Sequence, residues 1–288
     1  MITTKLAGGL GNQMFQYAIG RHLALRNKTQ LLLDISQLNN KDPNITFRTY
    51  ELNIFNISAK IIPKEKIILP KIIKEILFRL LKRRYIKQKG NSFNKEVLAN
   101  YNKNICLEGY WQCENYFKDI EDIIKQDFKI KIEPSEQNKV MLKKIKSTNS
   151  ICIHIRRGDY VADPKTKAHH GVCSLGYYYN SIKEIKKKVK SPVFYVFSDD
   201  INWARENIKI KDKTIFVNIN STDKAYEDLR LMSNCKHFII ANSSFSWWGA
   251  WLSNNPNKIV CAPYKWFNQA EEGDIVPRDW RRIGDMKK

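Results

Sequence analysis

Short apolar runs alternate with stretches of helical period along this chain, and they do so in two blocks. In the first, residues 2–6 read as a strand, Gly8-Gly9-Leu10-Gly11 as a turn, and 12–26 as a helix with Met14, Phe15, Ala18, Ile19 and Leu23 on one face. Residues 30–33 follow as a second strand closed by Asp34, which completes a β-α-β opening. Farther on, 105–107 predicts a strand and 114–128 a helix. The second block starts at Ile151 and runs through helix 177–188, strand 193–197, helix 201–207, strand 214–217, helix 223–233, strand 237–241, helix 246–252 and strand 258–261. Such alternation predicts an α/β protein with parallel sheets and helices on both faces. The polar, lysine-rich stretch 129–149, with Pro134 and a helical pattern over 137–146, separates the blocks. The expected division is therefore 1–135, 136–265 and a tail, 266–288, packing back toward the first domain.

Three apolar strands of the second block discharge polar residues at their carboxyl ends, where ligands bind in open parallel sheets. Ile151-Cys-Ile-His154-Ile155 runs into Arg156-Arg157-Gly158-Asp159, 193–197 into Ser198-Asp199-Asp200, and 237–241 into Asn242-Ser243-Ser244-Phe245-Ser246. The arginine pair is a clamp for an anion, although alone it equally describes a solvated surface. Hydroxyls and backbone N–H groups at a helix start cradle phosphate oxygens, which fits Ser243, Ser244 and Ser246. Trp247, Trp248 and Trp251, with Gly249, are expected to pack that helix on its sheet. Asp199 and Asp200 are acceptors for the N1–H and amino groups of guanine or for ribose hydroxyls. The chain contains no Asp-x-Asp, the usual ligand spacing for a metal-bridged diphosphate. The residues point to a nucleoside diphosphate held by arginine rather than by metal.

The glycine loop resembles a dinucleotide fingerprint only until Met14, which stands where a small residue is needed for close helix-to-strand packing. A nicotinamide oxidoreductase is disfavoured on that ground. What remains is a tight turn bringing Asn12 and Gln13 to a helix N-terminus, as ligand contacts or as plain structure. The 288 residues, 43% hydrophobic and 27% charged, suffice for two cores. No run of about 18 apolar residues occurs and no secretory h-region opens the chain, so a cytoplasmic location is expected. Six cysteines without a Cys-x-x-Cys pair predict reduced thiols, and His169, His170 and Cys173 read as a loop rather than a zinc site. The net charge of +21 is concentrated in 60–89, where Ile72, Ile73, Ile76, Leu77, Leu80 and Leu81 recur at helical spacing among basic residues. That segment predicts a basic amphipathic helix, either with a solvated rim or peripheral on the inner face of an anionic cytoplasmic membrane. No nucleic-acid-binding module accompanies the charge.

Five motifs then carry a resemblance: Gly8-Gly-Leu-Gly-Asn-Gln-Met-Phe-Gln-Tyr-Ala18, Leu107-Glu-Gly-Tyr-Trp-Gln112, His154-Ile-Arg-Arg-Gly-Asp159, Phe197-Ser-Asp-Asp200 and Ala241-Asn-Ser-Ser-Phe-Ser-Trp-Trp-Gly-Ala-Trp-Leu252. Together they resemble the bacterial α-1,2-fucosyltransferases, glycosyltransferase family 11, from Gly8 to about Trp280. The resemblance implies a GT-B arrangement, two Rossmann-like domains facing across a cleft, the second holding GDP-fucose and the first serving the acceptor. It implies inverting transfer of L-fucose to O2 of a terminal β-galactose, with no metal or other cofactor. The acceptor would be a galactose-terminated glycan such as lactose or a lipid-linked oligosaccharide, in O-antigen or capsule assembly. Arg156 would meet the charge on the leaving diphosphate, Arg157 would bridge an acid, and His154 would sit near base or ribose. Asn242, Ser243, Ser244, Phe245 and Ser246 would surround the phosphates and Asp199 or Asp200 the guanine. Asp159 is the expected base, with Asp34 as its rival. Asn12 and Gln13 would position fucose or acceptor, and Tyr110, Trp111 and Gln112 would line the acceptor side, with core packing the competing reading for Trp111. A transferase for another GDP-sugar, and a basic membrane- or polyanion-binding protein without turnover, are the alternatives.

Overall fold

The computed structural model describes residues 1–39, 47–62, 84–99, 104–268 and 273–285, without the side chains of Asp159 and Lys165. The chain forms two units, Met1–Lys131 with Gly273–Ile275, and Ile132–Glu272 with Val276–Lys288. In the first, β1 (Ile2–Lys5), α1 (Leu10–Arg26), β2 (Leu31–Asp34), β3 (Lys60–Ile62), β4 (Arg84–Lys87), α2 (Lys95–Leu98), β5 (Ile105–Glu108) and α3 (Glu121–Asp127) follow one another. The strands form a parallel sheet in the order β3-β2-β1-β5-β4. Gly8 makes the turn into α1 at φ +76°, a left-handed conformation natural to glycine. Gly20 lets α1 lie close on the sheet, because a Cβ there would be driven into Thr4 Oγ1 and lie 2.7 Å from Leu31 Cδ1.

One predicted helix differs from the structure here, and so do the two ends of the basic segment 60–89. Residues 114–128 are not one helix but the 3-10 turns Glu114–Tyr116 and Lys118–Ile120 followed by α3. Tyr116 and Phe117 are both buried, and the chain breaks at Phe117, whose φ of −147° lies outside the helical range. The basic segment 60–89 ends in strands rather than helix, since Lys60–Ile62 and Arg84–Lys87 add the two outer strands of the sheet. Its middle, 63–83, with the apolar positions Ile72 to Leu81, lies outside the described residues.

The second unit runs α4 (Glu136–Lys146), β6 (Asn149–Ile155), α5 (Gly158–Ala162), α6 (Pro164–His170), α7 (Leu175–Lys186), β7 (Pro192–Ser198), α8 (Ile201–Asn207), β8 (Thr214–Phe216), α9 (Ala225–Ser233), β9 (His237–Ile239), α10 (Ser244–Trp251), β10 (Val260–Pro263) and β11 (Arg281–Ile283). Ser135, Ser174 and Asp200 cap α4, α7 and α8 by accepting from the N–H of Asn138, Tyr177 and Trp203. The sheet is parallel, in the order β11-β10-β9-β6-β7-β8. β6 is buried on both faces beyond Asn149, as its run of isoleucines requires. Ile151, Ile153 and Ile155 pack with Tyr177, Tyr178, Phe194 and Val196 on one side. Trp247, Trp248 and Trp251 are buried under α10, as the apolar pattern predicts. His169 and His170 end α6 instead of lying in a loop. Among the described residues no helix is long and apolar enough to cross a membrane.

Candidate active site

β6 is flanked by β7 and β9 in register, with Ile155 beside Ser198 and Ile153 beside Ile239, so the three polar strand ends emerge side by side at one edge. Arg156 Nη1 lies 3.1 Å from Asp199 Oδ2, and its guanidinium stands 5.5 Å from the centre of the Tyr160 ring. Asp199 also accepts the N–H of Arg157 at 2.8 Å. A Cβ on Gly158 would fall 2.6 Å from Asp199 Oδ2, so glycine at 158 leaves room for this carboxylate where it stands. Arg157 turns away from Arg156: its Nε donates to Asp200 Oδ2 at 3.3 Å and its guanidinium covers Trp203 at 3.9 Å. The acid that Arg157 bridges is thus Asp200. Both aspartates therefore hold the arginines, and each has only its remaining lone pairs for a base.

Tyr160 ties this clamp to the serine loop. Its hydroxyl donates to the carbonyl of Asn242 at 3.2 Å, and its ring stacks on His170 at 4.7 Å. The Asn242 side chain is a loop-builder, its Nδ2 donating to the carbonyls of His170 at 2.9 Å and Trp266 at 3.1 Å. Ser246 is fully buried and donates to the Ser243 carbonyl at 3.2 Å. Ser244 and Phe245, partly exposed at the start of α10, with Ser243 just before it, are the groups this loop leaves for a ligand. His154 packs against Phe245 with ring centres 5.8 Å apart, and its buried Nδ1 has no hydrogen-bond partner among the described residues. Burial and then the neighbouring Arg156 push its pKa down to about 3, so the imidazole is neutral. A neutral ring with an unsatisfied nitrogen is suited to a neutral polar ligand group rather than to a phosphate. Asp159 lies in α5, and its side chain is outside those described.

In the first unit, Gln13 is wholly occupied by its own loop: Nε2 donates to the carbonyls of Gly8 and Thr49 at 2.9 and 2.7 Å, while Oε1 accepts from Glu51 N–H. Asn12 Oδ1 accepts from Gln112 Nε2 at 2.7 Å, which brings two of the expected acceptor-side residues together. Trp111 is core, buried against Tyr116 at φ +56°, while Tyr110 is half exposed. Asp34 is buried and accepts the N–H of Ser36. A cluster the sequence did not announce joins Lys5, Tyr85 and Glu108 across β1, β4 and β5. Lys5 Nζ lies 2.6 Å from Glu108, to which Tyr85 also donates. Burial works against the Lys5 charge, but Glu108 and Tyr85 outweigh it and raise its pKa. Tyr160 and Trp203 are the other participants that motif reading missed. Each follows its arginine in a turn or on the next strand's helix, a signal visible only once the strand order is known.

Two relatives define the class as glycosyltransferase. The chain is 36% identical over 296 residues to an alpha-1,2-colitosyltransferase of Escherichia coli, covering 98% of this chain and 99% of the relative. It is 35% identical to the O-antigen biosynthesis glycosyltransferase WbnK of the same organism, over 96% and 98% of the two chains. The sequence profile of Glycosyl transferase family 11 matches residues 1–283, and the chain belongs to that family. A more distant relative, the mouse galactoside 2-alpha-L-fucosyltransferase Sec1, is 25% identical over 88% of this chain and 64% of its own. The fold is similar to that of NodZ alpha-1,6-fucosyltransferase, in a crystal soaked with GDP-fucose, at a TM-score of 0.50 and 14% identity over 89% of this chain and 96% of that one. NodZ co-crystallised with GDP gives a TM-score of 0.51, with 86% and 90% covered.

Proposed function

We propose that the protein transfers L-fucose from GDP-fucose to O2 of a terminal β-galactose of a glycan, with inversion and without a metal ion. The observation that carries this reading is Arg156 at the carboxyl end of the central strand, held by Asp199 beside Tyr160, next to a serine-rich helix start. In the same reading the two parallel α/β units are the two Rossmann-like domains of a GT-B glycosyltransferase. As the bond from fucose C1 to the β-phosphate oxygen breaks, the ring gains positive charge and GDP gains negative charge. Arg156 meets the latter with planar donors already aimed, so no reorganisation is needed at the moment of reaction. Ser243, Ser244 and the N–H groups of α10 hold the remaining phosphate oxygens. His154 faces base or ribose, and Asp159, in the turn just beyond the arginines, is the candidate acceptor of the galactose O2 proton.

The identity to an alpha-1,2-colitosyltransferase favours one second reading, transfer of colitose in the same linkage. Colitose is L-fucose without its 3-hydroxyl, so the diphosphate clamp would be unchanged. The test is release of GDP from GDP-fucose and from GDP-colitose, with and without lactose, in EDTA, for wild type and Arg156→Ala. Lactose-dependent release that persists in EDTA and collapses in the variant supports the reading, and the faster donor decides between the sugars. Turnover that needs a divalent cation, or that is indifferent to Arg156, overturns it.

A further inference from the structure

The opposite edge of the second sheet has a different chemistry. There the connections 147–148, 187–191, 208–213, 234–236 and 252–259 lead from helices into β6, β7, β8, β9 and β10. They carry eight lysines, and their one acid is Asp212, paired with Lys186 at 2.6 Å. Lysines at helix C-termini are ordinarily explained by the exposed carbonyls they meet. That accounts for Lys258, whose Nζ donates to the carbonyls of Ala250, Trp251 and Ser253, and for Lys209, which donates to that of Arg205. Lys187 pairs with Glu184 and Lys236 donates to Asn149 Oδ1, which leaves Lys188, Lys190, Lys211 and Lys213 of these connections, joined by Lys144 and Lys146 in the last turn of α4. These are exposed, and among the described residues their ammonium groups have no acidic or hydrogen-bonding partner.

Because β6, β7 and β8 are neighbours, the six lie in one band across adjacent strands, roughly 10–15 Å wide at the usual strand spacing. Their loops are fixed: Asn149 Nδ2 donates to the Lys190 carbonyl at 2.9 Å, and Phe194 N–H to that of Lys213 at 2.9 Å. Six like charges in one band give this edge a positive potential, whose complement is a negatively charged surface. The five connections contain no aromatic residue and no arginine. They therefore lack the stacking platforms and planar forks with which proteins grip nucleic acid. Hydrated, flexible ammonium groups in a rigid band are suited instead to a diffuse layer of lipid phosphates.

We infer that this edge docks on an anionic lipid bilayer. The site is distinct from the basic segment 60–89 of the first unit. Docking leaves Arg156 at the far end of the seven residues of β6, roughly 20 Å from the lipid, a geometry for a sugar chain projecting from the membrane.

The full chain is sedimented with phosphatidylcholine vesicles with and without about one-third phosphatidylglycerol, an anionic lipid. Wild type should bind only the anionic vesicles and be released by about 0.5 M salt, where screening shortens to a few ångström. Each lysine contributes about a fivefold change in affinity, so Lys188→Glu, Lys190→Glu, Lys211→Glu and Lys213→Glu combined should abolish binding while leaving turnover of soluble acceptor unchanged. A control with the same charge change, Lys60→Glu, Lys95→Glu, Lys129→Glu and Lys131→Glu, should retain most of it. Equal loss in both variants would reduce the effect to net charge and overturn the inference, as would tighter binding to duplex DNA than to the vesicles.

Discussion

At the residue scale the argument rests on Arg156 and on what holds it. Arg156→Ala should lower kcat/KM for GDP-fucose by about 10²–10³, the usual effect of losing one pre-aimed donor to a developing anion. Arg156→Lys should recover only part, because the charge survives but the planar fork does not; steady-state release of GDP checks both. The Tyr160 ring beside the guanidinium is worth about 1–2 kcal/mol if desolvated, so Tyr160→Leu should cost roughly 5- to 30-fold in kcat/KM, while Tyr160→Phe, which keeps the ring and loses the hydroxyl's bond to the Asn242 carbonyl, should cost less. In an Arg156→Ala background, Tyr160→Leu should cost nothing further, and an undiminished loss there would show that the ring does not act through the arginine. His154 makes a separate statement about pH. Its proton is bound in the unfolded chain below about 6.5 but in the folded chain only below about 3. Its contribution is therefore fully present above about pH 6.5 and is lost as pH falls toward 3, amounting to about 2 kcal/mol by pH 5. Urea midpoints at pH 7.5 and pH 5 should draw together in His154→Gln.

At the scale of elements, the decisive contacts are close approaches that a single methyl group would spoil. Gly20→Val should destabilise the first unit by about 2–3 kcal/mol through overpacking against Thr4 and Leu31, more than any gain in helix propensity returns, and urea denaturation measures it. The central strands and the long helices were legible in the sequence, because β6 and β7 are buried runs of β-branched and aromatic residues and α1 and α7 carry apolar residues at helical spacing. What period alone could not show was the chain between them. β3, β4 and β11 are three or four residues long and partly exposed, so their strand character comes from pairing with β2, β5 and β10. The break at Phe117, where φ is −147°, is likewise a backbone feature that the helical pattern over 114–128 does not encode.

For the molecule as a whole, the cysteine content predicts a chain that needs no disulfide. All six cysteines are free and five are buried, and burial pushes the Cys113 and Cys261 thiols up to about 12, far from the reactive thiolate. A thiol reagent should find at most Cys173 in the folded protein and six groups after unfolding. The sequence by itself determined that two α/β blocks exist, that three strands of the second end in an arginine pair, an aspartate pair and a serine loop, and that these motifs resemble those of family 11. It could do so because burial periodicity and turn chemistry are local, and because the motifs are contiguous. Only the tertiary structure decided how those groups are used. Parallel pairing in the order β9-β6-β7 sets Asp199 against Arg156 and Asp200 against Arg157, some forty residues apart in the chain. The fold turns Asn242 and Ser246 inward to satisfy carbonyls of their own loop, as it does Gln13 in the first unit, while Ser244 and Phe245 stay partly exposed. A side chain's partners depend on which strands are neighbours, and strand order is a property of the folded sheet.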